Sequence, residues 1–236
     1  RVQPMPLRPL LDHLLPPTCI LCGAPGASGR DLCPGCTGDL PRNLACCARC
    51  ALPLDGAPGL AALCGACQRR PPPYERSVVA LRYEGPVPAL VAMAKFRGRL
   101  NVARLLGELL ADAIRPRGSG LPEVLLPVPL HPRRLRERGY NQALELARTA
   151  GRSLRVPVEP SAVLRILSTA PQAGLDERAR RRNIRGAFQV RGPLPWGHVA
   201  IVDDVVTTGS TVAELARVVG GAGIARVAVW AVARTP

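Results

Sequence analysis

The chain has 236 residues and carries 32 basic against 17 acidic side chains, a formal net charge of +15. This length accommodates one α/β domain of about 160 residues together with one small additional domain. No apolar run approaches the roughly 20 residues that span a bilayer, because residues 7–15 are short and interrupted by Pro9 and Asp12. No transmembrane segment is therefore expected. No signal peptide is visible and the cysteines are spaced as metal ligands, so a reducing cytoplasm is the simplest location. The charge is uneven, with thirteen arginines against five acids in residues 131–185. A solvated face normally mixes both signs, and such an excess points to a polyanion, either pyrophosphate or nucleic acid.

All nine cysteines lie between positions 19 and 67. Eight form Cys-x-x-Cys pairs, Cys19/Cys22, Cys33/Cys36, Cys47/Cys50 and Cys64/Cys67. Each pair is a knuckle that points two thiolates at one tetrahedral ion, so the count fits two zinc ions. Pairing of the knuckles is open: sequential and interleaved closure both satisfy the spacing. A disulfide framework is the competing reading, disfavoured by the odd cysteine count and the repeated two-residue spacing. Cys46 is left over as a bystander, unless a small register shift lets it replace Cys47. Four thiolates leave no open coordination position, and a segment so poor in large apolar side chains cannot bury a sufficient core without help. The zinc is therefore expected to be structural, in a domain covering residues 1–70.

Residues 68–73, polar and proline-rich, read as a linker to a second domain over residues 74–236. Its first strand is expected at residues 77–83. Residues 86–114 carry Leu90, Met93, Leu100, Leu105, Leu106, Leu109 and Leu110 at helical spacing, with a break at Gly98. Lys95, Arg97 and Arg99 flank that break. A buried strand at residues 124–128 leads into a basic loop with Arg133, Arg134 and Arg138, then Gln142 and a helix over about 143–153. In a crossover sheet this loop opens at the carboxyl edge. Residues 165–188 lie between two strands and include Arg165, Arg178, Arg181, Arg182 and Arg185, too many charges for a core.

Residues 199–202 are apolar, as in a strand covered on both faces of a parallel sheet. Asp203 and Asp204 follow at its carboxyl end, then Thr207, Thr208, Gly209, Ser210 and Thr211 as a hydroxyl-rich turn before a helix over residues 212–219. Backbone N–H groups at such a helix start cradle phosphate, and the hydroxyls add donors. Two carboxylates beside that turn suit a phosphorylated sugar. The missing Gly-Lys-Ser/Thr ending excludes a Walker loop.

Residues 199–211 resemble, without a gap, the phosphoribosyl-pyrophosphate (PRPP) motif of type I phosphoribosyltransferases. The resemblance implies that Asp203 and Asp204, the catalytic pair, hold the ribose hydroxyls while Thr207, Thr208, Gly209, Ser210 and Thr211 hold the 5′-phosphate. It implies further that Arg133, Arg134 and Arg138 bind pyrophosphate with Mg2+. Residues 165–188 then correspond to an active-site lid, with Gln172, Arg178, Arg182 and Asn183 as its candidates. The fold class it implies is α/β: a type I phosphoribosyltransferase-like parallel sheet with helices on both faces, preceded by a small four-cysteine zinc domain.

Taken in order, the four knuckles, the patch at Lys95 to Arg99, Pro-Val-Pro-Leu with Arg-Gly-Tyr-Asn-Gln, the Arg182-Asn183 segment and Asp-Asp-Val-Val-Thr-Thr-Gly resemble the ComF family (ComFC, GntX-like) across nearly the whole chain. That resemblance implies a cytoplasmic factor that handles imported single-stranded DNA in natural transformation alongside other DNA-uptake proteins. Lys95, Arg97, Arg99, Arg178, Arg181 and Arg182 are then the candidate DNA contacts. Two classes of function compete: a binding module for PRPP and single-stranded DNA, and a phosphoribosyltransferase acting on a nucleobase or similar small acceptor. With seven aromatic residues in the chain, base stacking is sparse and DNA affinity is expected to come from phosphate contacts.

Overall fold

The computed structural model describes residues 16–56, 62–96, 98–117, 120–168 and 182–236. Two compact units divide between Leu40 and Pro41. In the first, the knuckle at Cys19 and Cys22 is closed by Cys19 N–H donating to the Ala24 carbonyl at 2.7 Å and Gly23 N–H to the Cys19 carbonyl at 2.9 Å. Helix α1 (Pro34–Gly38) starts directly after Cys33. Pro34 suits that first position because its missing N–H would have no partner there.

The second unit contains α2 (Gly65–Arg69), β1 (Arg76–Arg82), α3 (Val87–Phe96), α4 (Leu100–Ile114), a 3-10 turn (Arg115–Arg117), β2 (Val124–Pro127), α5 (Pro132–Arg138), α6 (Gln142–Leu154), β3 (Val163–Arg165), β4 (Phe188–Val190), β5 (His198–Val206), α7 (Ser210–Gly221) and β6 (Arg226–Arg234). The main sheet has the order β1-β6-β5-β2 and is parallel throughout. β3 and β4 form a separate antiparallel pair.

Side chains alternate between the faces of each strand, and both faces are covered. Val199 and Ile201 of β5 cluster with Val124, Leu126, Val229 and the apolar stripe of α7, Val212, Leu215 and Val219. Leu125, one residue from Leu126, points the other way and touches α6 at Gly151. Helices α4 and α6 pack together on that face. Gly107 permits their close approach, since a methyl group there would stand 2.7 Å from Thr149 Cβ. This is the α/β architecture expected from the apolar strands and helical spacing, with the helix break at Gly98 as anticipated.

Two local features differ from the expectation. The basic segment after β2 is a helix, α5, rather than an open loop. His131 caps it, its Nδ1 accepting Arg133 N–H at 3.3 Å, Pro132 takes the first turn, and Arg133 pairs with Glu137 one turn on at 3.0 Å. Strand β5 also runs on past the two acids to Val206, because residues 203–206 remain paired with β6 after β2 has ended at Pro127 opposite Val202. The flank of that extension that β2 leaves unpaired lies at the carboxyl edge of the sheet, where ligands of open α/β sheets bind.

The segment bearing the second pair of knuckles is fastened to this sheet. Asn43 N–H donates to the Ala80 carbonyl and Arg82 N–H to the Pro41 carbonyl along the free edge of β1. Arg49, inside the knuckle of Cys47 and Cys50, donates to the carbonyls of Tyr74 and Pro72 at 3.0 and 3.3 Å. The proline-rich stretch is thereby held against the metal-ligand loop. No helix among the described residues is long and apolar enough to cross a membrane.

Candidate functional site

The cysteines gather into two groups by sequential pairing, Cys19, Cys22, Cys33 and Cys36 in the first unit and Cys47, Cys50, Cys64 and Cys67 in the second. Within each group the sulfurs all lie within 4.8 Å of one another, and the Cys22–Cys33 and Cys50–Cys64 separations are both 3.6 Å. Four thiolates at about 2.3 Å from a tetrahedral zinc ion stand about 3.8 Å apart, so both groups fit the ion. Backbone N–H groups of Cys36 and Cys64 point at the sulfurs of Cys33 and Cys47, 3.4 and 3.3 Å away. Each group is a closed structural zinc site. Cys46 stands outside both, half-buried against the sheet core.

At the carboxyl edge of the sheet, strand alternation turns Asp203 and Asp204 to different partners. Asp204 is buried on the side of α3 and α6: its Oδ2 receives Lys95 Nζ at 2.8 Å and Gln142 Nε2 at 3.2 Å. Arg138 in turn donates to Gln142 Oε1 at 2.9 Å, so the last residue of α5 supports the carboxylate through one amide. Asn141 sets this junction, capping α6 through Ala143 N–H and donating to the Val128 carbonyl.

Asp203 Oδ1 accepts Asp204 N–H at 2.9 Å, and its charge is felt by Arg165 at the end of β3. Burial pushes the Asp203 carboxyl up to about 7, the Asp204 carboxylate adds to the rise, and Lys95 and Arg165 oppose it. Burial lowers the Lys95 pKa, but Asp204 and Asp203 outweigh that and leave the ammonium above its usual value. Asp203, buried next to a second carboxylate, thus holds its proton more tightly than an ordinary carboxylate.

The turn that follows is set by Gly209, the residue before α7, with φ of +75°. A side chain there would be strained in the left-handed region. Thr208 Oγ1 and Ser210 Oγ lie 2.5 Å apart and Ser210 N–H reaches Thr208 Oγ1 at 3.4 Å, so the hydroxyls are drawn together at the helix start. The carbonyl side of the turn is gripped from behind by buried Arg234 at the end of β6. Its Nη1 donates to the carbonyls of Val206 at 3.1 Å, Thr207 and Thr235, and its Nε to the Cys50 carbonyl at 3.3 Å. In a trans peptide the N–H lies opposite the carbonyl, so the Thr207 and Thr208 N–H groups point away from Arg234.

Residues 207–210 line a cleft of about 910 Å³. Cys64, Cys67, Pro72 and Tyr74 also line it.

The structure therefore brings together Asp203, Asp204, Lys95 and Arg138, and places Thr207, Thr208, Gly209, Ser210 and Thr211 directly after them. Arg133 and Arg134 are on α5, where both approach Glu137, at 3.0 and 4.0 Å. Arg134 also acts electrostatically on Arg165. Arg99 is exposed and donates to Met93 sulfur at 3.4 Å. Arg182 is exposed, and Asn183 is half-buried beside it. Arg97, Gln172, Arg178 and Arg181 lie outside the described residues. Sequence reasoning misses Gln142 and Arg165 as partners of the acids, and Arg234 as the clamp of the turn. Lys95 reads from sequence as a DNA contact, whereas its charge is committed to Asp204.

Residues 10–74 match the double zinc ribbon domain family. The DNA utilization protein YhgH of Escherichia coli (strain K12) is 38% identical over 226 residues, covering 94% of this chain and 98% of that protein. Competence protein F of Haemophilus influenzae is 34% identical over 224 residues, covering 92% and 96%. The crystal structure of TT1426 from Thermus thermophilus has a TM-score of 0.34 and 20% identity over 57% of this chain and 83% of that one, too slight a likeness to argue from. On the near full-length relatives, the chain belongs to the ComF family, the family of competence protein F and DNA utilization protein YhgH.

Proposed function

We propose that this protein is a cytoplasmic factor that handles single-stranded DNA during DNA uptake, alongside other proteins of that process, and that its carboxyl-edge site binds PRPP with Mg2+. The names of its relatives support the DNA role, since one is a DNA utilization protein and another a competence protein. The observation that carries the sugar-phosphate reading is the adjacency of the Asp203–Asp204 pair to the hydroxyl-bearing turn before α7. Asp203 and Asp204 accept hydrogen bonds from ribose hydroxyls, the turn donates N–H and hydroxyl groups to the 5′-phosphate, and Arg138 and Arg134 face the pyrophosphate. Mg2+ would offset the pyrophosphate charge and reach the same carboxylates.

The second reading is catalysis. In it, pyrophosphate leaves the anomeric carbon through an oxocarbenium-like transition state while a base nitrogen attacks, and Lys95 with the arginines of α5 stabilises the departing charge. The convergence of Lys95, Asp204, Gln142 and Arg138 favours keeping this reading. Binding is tested by thermal melting with PRPP and Mg2+, which raise the melting temperature of any chain that binds them only when folded. Asp203→Ala with Asp204→Ala is expected to abolish that rise, and an undiminished rise would move the site elsewhere. Release of pyrophosphate on adding a nucleobase would establish turnover.

A further inference from the structure

We propose that the cleft between the turn at residues 207–210 and the second four-cysteine group is a subsite for one nucleotide of a polynucleotide, the 5′ neighbour of the residue whose phosphate the turn holds. The inference rests on the reading of the turn as a phosphate site and names what lies beyond that phosphate.

The turn has two sides. Asp203, Asp204, Lys95 and Arg138 are on one side, and none of them lines the cleft. With a sugar over the carboxylates and its 5′-phosphate on the turn, the remaining phosphate oxygens face the cleft. A terminal phosphate needs no space past those oxygens, whereas a phosphodiester continues through one of them into the next nucleotide. The about 910 Å³ available falls in the range of about 300–1,000 Å³ that encloses a ligand of nucleotide size.

The wall chemistry fits such an occupant. Leu52, Pro72 and Pro73 offer apolar surface to a sugar and base. Of the arginines on the cleft, Arg217 is held by two bonds to Glu214 at 2.7 and 3.0 Å, and Arg234 spends its donors on backbone carbonyls. Arg70 and Arg185 are exposed and make no side-chain hydrogen bond or ion pair with another described residue. Those two are the cations that meet the following phosphate. The Glu214 carboxylate is bonded by Arg217 and the Gly186 N–H and attracts Arg185 only through longer-range charge. The second metal site thus supplies a wall of the nucleic-acid path.

Competition for a fluorescent single-stranded oligonucleotide, measured by anisotropy on the full zinc-loaded chain at low salt, tests this. The competitors are thymidine 5′-monophosphate, the dinucleotide TpT, whose phosphodiester carries less charge, and 5′-phosphorylated pTpT, which adds the following phosphate. The subsite requires TpT to compete better than the monophosphate by about tenfold, the effect of one well-held base, and pTpT to compete better still. Arg70→Ala with Arg185→Ala, both changes on the surface, removes the gain of pTpT over TpT and leaves the PRPP-induced melting shift unchanged. Equal or better competition by the monophosphate overturns the subsite, as does an unaltered gain of pTpT over TpT in the double variant. Loss of the PRPP shift in that variant would assign the two arginines to PRPP itself and likewise overturn it. Failure of the wild type to bind any oligonucleotide would overturn the DNA reading together with the subsite, whereas binding without a TpT preference overturns the subsite alone.

Discussion

Lys95 Nζ lies 2.8 Å from Asp204 Oδ2, so the end of α3 closes onto the strand that carries both acids. The carboxylate is almost fully buried, and the lysine side chain is one-quarter exposed. Removing the lysine leaves a buried charge without its partner, a change that costs several kcal/mol in a dry interior and less where water reaches the pair. Lys95→Met is therefore expected to destabilise the chain by about 1–3 kcal/mol at neutral pH. Asp204→Asn in the same chain should recover most of the loss, because the buried charge is then gone. Denaturant melts of the two variants measure this, and no recovery in the double variant would mean that the cost was packing rather than charge.

Asp203 gives the fold a pH dependence of definite sign. Its pKa of about 7 in the folded chain exceeds the ordinary value of about 3.9, so the folded state holds a proton that the unfolded state releases between those limits. Stability therefore falls as pH rises from about 4 to about 7 and levels off above. Asp203→Asn is expected to approach the wild type below about pH 4 and to melt several degrees higher at pH 8, at about 2–4 °C for each kcal/mol in a chain of this size. PRPP with Mg2+ needs the ionised acid, so its melting shift should shrink as pH drops below about 7.

Arg234 holds the back of the turn. Arg234→Met leaves the Val206 and Thr207 carbonyls without their charged donor, an expected loss of about 1.5–3 kcal/mol for a hydrogen bond to a charged group. PRPP affinity should fall with it, because the N–H groups of the turn are oriented by that grip. Retained stability and retained PRPP shift in this variant would show that the turn orders itself.

Two zinc ions per chain are expected by elemental analysis. Cys22→Ser and Cys50→Ser should each reduce the count by one, and Cys46→Ser should leave it at two. In the loaded chain Cys46 is the thiol expected to react with a thiol reagent.

The cysteine knuckles, the strand before Asp203 and the hydroxyl-rich turn are legible in the sequence because each is a contiguous pattern whose chemistry depends on spacing alone. The break at Gly98 is legible for the same reason. The α5 helix is hidden by its charge: six of its seven residues are proline, arginine or glutamate, and its cap and Arg133–Glu137 pair make a short helix without an apolar face. Lys95 reads as a DNA contact because it sits among arginines, and only the folding of α3 onto β5 reveals its carboxylate. Arg234 ends an apolar strand as a lone charge, and nothing local distinguishes it from a solvated strand end. Gln142 and Arg165 meet the acids through pairings 62 and 38 residues apart in sequence, which no local pattern carries.

The central claim is that one set of phosphate contacts serves both PRPP and single-stranded DNA. Anisotropy of a labelled single-stranded oligonucleotide, titrated with PRPP and Mg2+ at fixed ionic strength, tests it most directly. The account predicts binding whose log affinity falls with log salt at about 0.7 per phosphate neutralised, and displacement of the oligonucleotide by PRPP that disappears in Asp203→Ala with Asp204→Ala. A chain that binds PRPP, transfers its ribose phosphate to a free base and leaves DNA unbound at low salt would contradict it.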